Sequence, residues 1–196
     1  MNTKHLDLGC GAKPRNPYKQ DEIWGIDISR EVLPLGNIKL ADLSFEKIPF
    51  EANSFDSVSA YDFLEHVPRA LASASENNIR FPFIELMNEV WRVLKPGGLL
   101  YAVTPAYPRQ EAFVDPTHVN VITENTHIYF TEPHLMAKMY GFVGHFKVRR
   151  TEWIRPIYDF EREPDKPTLS YRFKKFKNRI KRRNTHFLWE FEAIKP

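Results

Sequence analysis

K-H-L-D-L-G-C-G-A-K-P, residues 4–14, is the stretch from which the fold of this chain is read. Leu6 and Leu8 flank Asp7 in a short strand-like run, and Gly9 and Gly11 then let the backbone turn with no Cβ to block a ligand. In open α/β sheets such a loop, at the carboxyl end of a strand and beside the point where strand order reverses, is where nucleotides are held. Two glycines after a strand also make an ordinary turn, so the next strand has to decide. Ile23-Trp24-Gly25-Ile26-Asp27-Ile28 is a second β-rich run, and Asp27 at its tip is the type of group that accepts hydrogen bonds from ribose hydroxyls. A dinucleotide loop would carry a third glycine where Pro14 stands, which argues against NAD or FAD.

Outward from that pair, the chain reads as alternating strands and helices. Only about a dozen residues separate Gly11 from Ile23, and Pro14 and Pro17 are among them. A crossover helix does not fit there, so the first helix is expected to be short or missing. Lys13, Arg15 or Tyr18 would fill its place, with Lys13 the candidate for a ligand carboxylate. Leu35–Leu40 reads as a third strand with Ala41-Asp42-Leu43 at its tip, and 55–60 as a fourth. Tyr61–Val67 reads as the opening of a helix. Leu71–Arg80 reads as a loop or interrupted helix, and Phe83–Leu94 as a helix with Phe83, Leu86, Met87, Val90 and Val93 on one face. Lys95-Pro96-Gly97-Gly98 stops that helix, Leu99–Thr104 follows as a fifth strand, and Pro105–Thr131 is a long polar segment centred on Asp115-Pro116-Thr117-His118 and Asn120. Glu132–Tyr140 reads as a helix, and Phe142–Trp153 and Thr185–Ile194 as the last two strands.

Asp7-Leu8-Gly9-Cys10-Gly11, Gly25-Ile26-Asp27, the run from Asp42-Leu43 to Phe55-Asp56, and Leu94-Lys95-Pro96-Gly97-Gly98 resemble the class I S-adenosylmethionine-dependent methyltransferases, in particular the small bacterial type 11-like group. The similarity runs from about Lys4 to about Tyr140. It implies an α/β, Rossmann-like sheet with its last strand antiparallel, and S-adenosylmethionine as cofactor. It also implies that Asp7 and the Gly9-Cys10-Gly11 loop face the methionine moiety, Asp27 and Ile28 the ribose, and Asp42 and Leu43 the adenine. Tyr61, Asp62 and His66 would close over the methionine end. His66 reads equally well as a structural histidine, and Cys10 as a small residue in a tight turn.

Composition adds bounds. A chain of 196 residues supports one domain, here 1–196, with a core at 4–153 and 185–194 and a basic helical insertion at about 155–184. No run is long and apolar enough for a membrane span, a lone cysteine forms no internal disulfide, and a cytoplasmic protein is expected. Net charge is +3, yet Tyr171–Arg183 holds eight Lys and Arg and no acid, leaving 20 basic against 25 acidic side chains, or −5, elsewhere. Leu169, Phe173, Phe176 and Ile180 recur at helical spacing inside that basic stretch, so 171–183 reads as a contact for a peripheral membrane or other anionic surface, or as a stripe packed on the domain. Nucleic acid is the weaker candidate for it. His118, His127 and His134 are too scattered for a zinc set, and no metal is expected.

Two functions follow. The first is an enzyme that moves a methyl group to an O or N nucleophile of a small or conjugated acceptor, with His118 as base, oriented by Asp115 or reached from Asn120. In the competing reading Asp115-Pro116 is only a turn and His118 bonds a loop carbonyl. The second function is a non-catalytic module that binds S-adenosylmethionine or an anionic partner through the basic segment. Retention of Asp7, Asp27 and Asp42 favours the enzyme; the missing helix favours the module.

Overall fold

A computed structural model of the protein describes residues 2–32, 36–73, 78–156, 162, 164, 166, 168–180 and 183–196. Its elements run β1 (Lys4–Leu8), β2 (Glu22–Asp27), β3 (Ile38–Leu40), β4 (Phe55–Tyr61), the short strands β5 (Leu71–Ser73) and β6 (Asn78–Arg80), α1 (Pro82–Val93), β7 (Leu94–Pro105), the one-turn α2 (Glu111–Val114), β8 (Phe146–Ile154), α3 (Leu169–Ile180) and β9 (His186–Ala193). Seven strands form one sheet in the order β3-β2-β1-β4-β7-β9-β8, parallel from β3 to β7, with β9 antiparallel to both of its neighbours. The chain builds outward from β1 to β3 and then returns to the other side of β1 with β4. The switch in strand order therefore lies between the carboxyl ends of β1 and β4, where ligands bind in sheets of this kind.

Side chains alternate across the strands, so the two faces differ in chemistry. Leu6 and Leu8 of β1, Val58 and Ala60 of β4, Leu100 and Ala102 of β7 and Trp189 and Phe191 of β9 share one face, which packs on Phe83, Leu86, Met87, Val90 and Val93 of α1. The five α1 positions expected on one face are all buried. The other face carries His5 and Asp7, paired in register with Ser57 and Ser59, followed by Tyr101 and Glu190. No helix lies between β1 and β2, as expected. Residues 9–21 cross that polar face as turns, and Tyr18 packs its ring edge-on to Tyr101 and donates a hydrogen bond to Glu190 (2.7 Å).

Several expected elements take other forms. Residues 71–80 hold the antiparallel pair β5–β6 instead of a loop or helix. After β4 the chain makes only a 3-10 turn, Leu64–His66. The helix expected over 132–140 shrinks to the 3-10 turn Met136–Tyr140, because Leu135 stands in the left-handed region (φ 47°) and breaks the helical path. The expected strand start at Leu35, the middle of 71–80, and Lys181 and Arg182 lie outside the described residues.

Candidate active site

The glycine loop sits at the switch point. Gly9 (φ 63°) and Gly11 (φ 57°) are both left-handed, a region that excludes most side chains. At Gly9 an added Cβ would come within 2.6 Å of the Phe63 ring, so Phe63 roofs the loop; at Gly11 a Cβ would meet nothing, leaving open space in front of the backbone. Between them Cys10 is buried with its Sγ against Gly25, and burial pushes its thiol up to about 12, well outside the reactive range.

The three carboxylates differ in exposure and task. Asp27 at the end of β2 accepts from Gly11 N through Oδ2 (2.7 Å) and from Ser29 N through Oδ1 (2.9 Å), so it holds the loop while each oxygen keeps a second lone pair for a ligand. Ile28 beside it is 66% exposed. Asp42 accepts from Ser44 N at 3.0 Å, while Leu43 turns its side chain into the core. Asp7 is fully buried, accepts from Arg15 N (2.8 Å) and the Ser59 hydroxyl (2.6 Å), and burial raises its pKa to about 6. It holds the Arg15 backbone behind the loop. Its grip on Arg15 brings that guanidinium over the Tyr61 ring, 4.9 Å from the centroid. Lys13 is exposed at the surface. Tyr61 is buried, and Asp62, in a left-handed conformation (φ 48°), pairs with His186 Nε2 at 3.0 Å.

A second group of side chains comes from the long segment after β7. That segment docks on the turn after β4: Val119 N and Asn120 N donate to the Glu65 carbonyl (3.0 and 2.9 Å), and the Asn120 amide donates to Leu64 O (3.0 Å). His118 is thereby set against Glu65, its Nε2 3.9 Å from Oε1, and edge-on to His66. The contacts of the competing reading, a turn at Asp115 and a loop carbonyl on His118, are both present. His118 Nδ1 lies 3.3 Å from the loop carbonyl of Ala112, and Asp115 forms a turn by accepting from Thr117 N and Oγ1, while Thr117 Oγ1 in turn meets His66 Nδ1 at 3.0 Å. Asp115 thus orients His66 through Thr117, and the group facing His118 is Glu65, which sequence reading did not single out. Burial raises the Glu65 carboxyl to about 8. A cavity of about 570 Å³ opens nearby, lined by Phe81, Ile128, Tyr129 and Tyr140 and bounded by Arg69, whose Nε donates to Asn120 Oδ1.

With this geometry in hand, known proteins can be compared. Residues 6–102 match the methyltransferase domain family. The demethylmenaquinone methyltransferase of Staphylococcus aureus (strain JH9) is 32% identical over 125 residues, a stretch covering 57% of this chain and 46% of that enzyme, so the chain spans about half the length of the curated relatives it matches. Among solved structures, one of the complex between the Haloferax volcanii Trm112 methyltransferase activator and a methyltransferase superposes with a TM-score of 0.58 at 16% identity, covering 99% of this chain and 84% of the other. A S-adenosylmethionine-dependent methyltransferase from Archaeoglobus fulgidus gives 0.55 at 14% identity, covering 97% and 86%. The sheet order, the glycine loop at its switch point and the match over 6–102 lead to one assignment: the chain carries a methyltransferase domain with the class I S-adenosylmethionine-dependent fold.

Proposed function

We propose that the protein transfers a methyl group from S-adenosylmethionine to an oxygen or nitrogen nucleophile on a small or conjugated acceptor. The observation that carries this reading is the crevice between the ends of β1 and β4. There the open space before Gly11, the Asp27 and Asp42 carboxylates and the Arg15 guanidinium share one edge with the Glu65–His118 pair. The donor set fits the cofactor: Asp27 suits ribose hydroxyls, Asp42 the adenine amino group, and Arg15 takes over from Lys13 as partner for the carboxylate. When bound, the sulfonium supplies an activated methyl group, released as sulfur regains the C–S electron pair. The chain's own part is to align the attacking lone pair, exclude water and take up the acceptor's proton, a role the nearness of His118 to Glu65 supports.

The apolar lining of the 570 Å³ cavity favours an acceptor with a flat or apolar portion. The relative named for demethylmenaquinone supports the same direction. Calorimetric titration of S-adenosylmethionine into the purified protein tests the first half of the proposal. Asp27→Ala should weaken binding by about 1.5–3 kcal/mol, the worth of charge-assisted hydrogen bonds in a sheltered site. No heat of binding, or equal affinity in the variant, would overturn the cofactor assignment; a labelled-methyl assay over fractionated extract then identifies the acceptor class.

The second reading, an anionic-partner module, is favoured by α3. Leu169, Phe173 and Phe176 are 82%, 72% and 60% exposed, so these three do not pack on the domain, and Arg172 and Lys177 flank them at the surface. This surface is compatible with an enzyme that meets its acceptor at an anionic membrane.

A further inference from the structure

Glu65 is 1% exposed, and neither of its carboxylate oxygens has a hydrogen-bond partner. Buried carboxylates are normally paired or bound to a metal, because an unpartnered one costs on the order of several kcal/mol. The groups facing this one are two imidazoles. One ligand-capable atom from each of Glu65, His66 and His118 lies within 4.8 Å of the others, and among the described residues this is the set that could hold a metal ion.

The imidazole protons are assigned by their partners. The Ala112 carbonyl can only accept, so His118 Nδ1 carries the hydrogen and Nε2 the lone pair that faces Glu65. Thr117 gives its hydroxyl proton to Asp115 (2.6 Å) and must therefore accept from His66 Nδ1, which leaves the lone pair of His66 on Nε2 as well. Both rings are held through Nδ1–H···O contacts with Nε2 left basic, the arrangement that orients histidines around metal ions. A zinc-type ion with bonds of about 2.0–2.2 Å keeps its donors about 3.3–3.6 Å apart, so the 3.9 Å between His118 and Glu65 has to close by about 0.3–0.6 Å and the other separations, at most 4.8 Å, by no more than about 1.5 Å.

We propose that Glu65, His66 and His118 bind one divalent first-row transition ion of the zinc type, with a coordination position left open toward the acceptor. Two imidazoles and a carboxylate suit such ions better than magnesium or calcium, which take all-oxygen sets. Three protein donors are the number found where a position stays open for chemistry. Glu65 stands two residues beyond Phe63, the roof of the glycine loop, so an acceptor hydroxyl on the ion would lie beside the cofactor site and be made more acidic; with Nε2 on the ion His118 is then a ligand, and the proton leaves to water, not to His118. That last consequence rests on the methyl-transfer reading; binding of the ion does not. The sequence concealed the set because its members come from two distant segments brought together by the docking of Val119 and Asn120 on Glu65.

The full chain, stripped with chelator and dialysed, is titrated with zinc chloride by calorimetry and with cobalt chloride by visible absorption. One saturable equivalent is expected. Glu65→Gln and His118→Ala should each weaken it by at least about tenfold, and His145→Ala, at the exposed pair with Glu132, should leave it unchanged. Because Glu65 is buried, His66→Ala is measured beside it, with thermal melts to verify that each variant is folded. No saturable binding by the parent, or binding that all three site variants retain, would overturn the proposal. Titration of the same samples with S-adenosylmethionine separates the two readings: cofactor binding without metal overturns this one alone, and metal binding without cofactor overturns methyl transfer alone.

Discussion

At Gly9 the backbone stands at φ 63° and an added Cβ would approach the Phe63 ring to 2.6 Å, so a side chain there meets a conformational and a steric cost together. The first is about 1–3 kcal/mol for a left-handed residue that is not glycine. Gly9→Ala should lower the melting temperature, and a Phe63→Ala background should recover the steric share but not the conformational one; full recovery would show that φ at this position matters little. His118 belongs to the same scale. His118→Ala should leave affinity for S-adenosylmethionine nearly unchanged and lower turnover by roughly 10²–10⁴, whether His118 takes the proton itself or holds the ion that acidifies the acceptor. Equal turnover would return His118 to a role in bonding the Ala112 carbonyl, and lost cofactor binding would make it part of the cover.

Among the elements, those with strong local signals were legible in the sequence. Alternation around Asp7 and Asp27 and the 3.6-residue period from Phe83 to Val93 correspond to β1, β2 and α1, whereas Lys95-Pro96-Gly97-Gly98, expected as a stop ahead of a strand at Leu99–Thr104, lies inside β7, which begins at Leu94. The prolines at 14 and 17 correctly removed the first helix. Tyr18 was among the residues expected to fill its place, but its partners were not legible, since they lie far along the chain: Tyr18 reaches Glu190, and Glu190 is also held by Arg150 and Arg162. The site divides in the same way. The carboxylates at strand tips follow from local sequence, whereas the meeting of Glu65 with His118 depends on how a long segment docks, and the left-handed Leu135 overrode an ordinary helical pattern. For α3 the period was legible but its direction was not. Lys175 pairs with Glu152 at 2.5 Å and turns the Leu169–Phe173–Phe176 stripe outward. Vesicles with anionic lipid should therefore float the protein at low salt, each basic residue near the surface adding about 1 kcal/mol. Arg172→Glu, Lys177→Glu and Arg183→Glu together should abolish flotation, and Phe173→Ser with Phe176→Ser should weaken it at any salt. Absence of flotation at low salt would remove the membrane from consideration.

For the whole molecule, the polar face of the sheet sets the response to acid. His5 is buried, Nδ1 to Ser57 and Nε2 to Ser59, and burial lowers its pKa to about 3; Asp7, which takes the Ser59 proton, is raised to about 6. The signs oppose each other. An unfolded chain binds a proton at His5 below about 6.5 that the folded chain refuses, so this residue removes stability as pH falls from about 6.5 toward 3. Asp7 keeps its proton longer when folded, so its contribution is lost as pH rises from about 4 to 6, and between those values the two nearly cancel. His5→Gln should therefore gain on the parent as the solution is acidified, approaching about 5 kcal/mol near pH 3. Denaturant titrations of the two proteins across that range measure the difference, and a difference independent of pH would place the His5 proton elsewhere.

The position of β9 governs the order in which the molecule can be completed. Residues 186–193 follow the other strands of the sheet in sequence, yet they lie between β7 and β8 and give both strands a hydrogen-bonding partner. During synthesis the parallel part, β1 to β7, can assemble as it emerges, but β7 then keeps a bare edge and β8 has nothing in the sheet to join. β8 cannot join the sheet until β9 has appeared. In that interval the unpaired backbone edge of β7 is open to other chains, so a ribosome that stalls between 154 and 186 would leave a half-sheet prone to pairing with its neighbours.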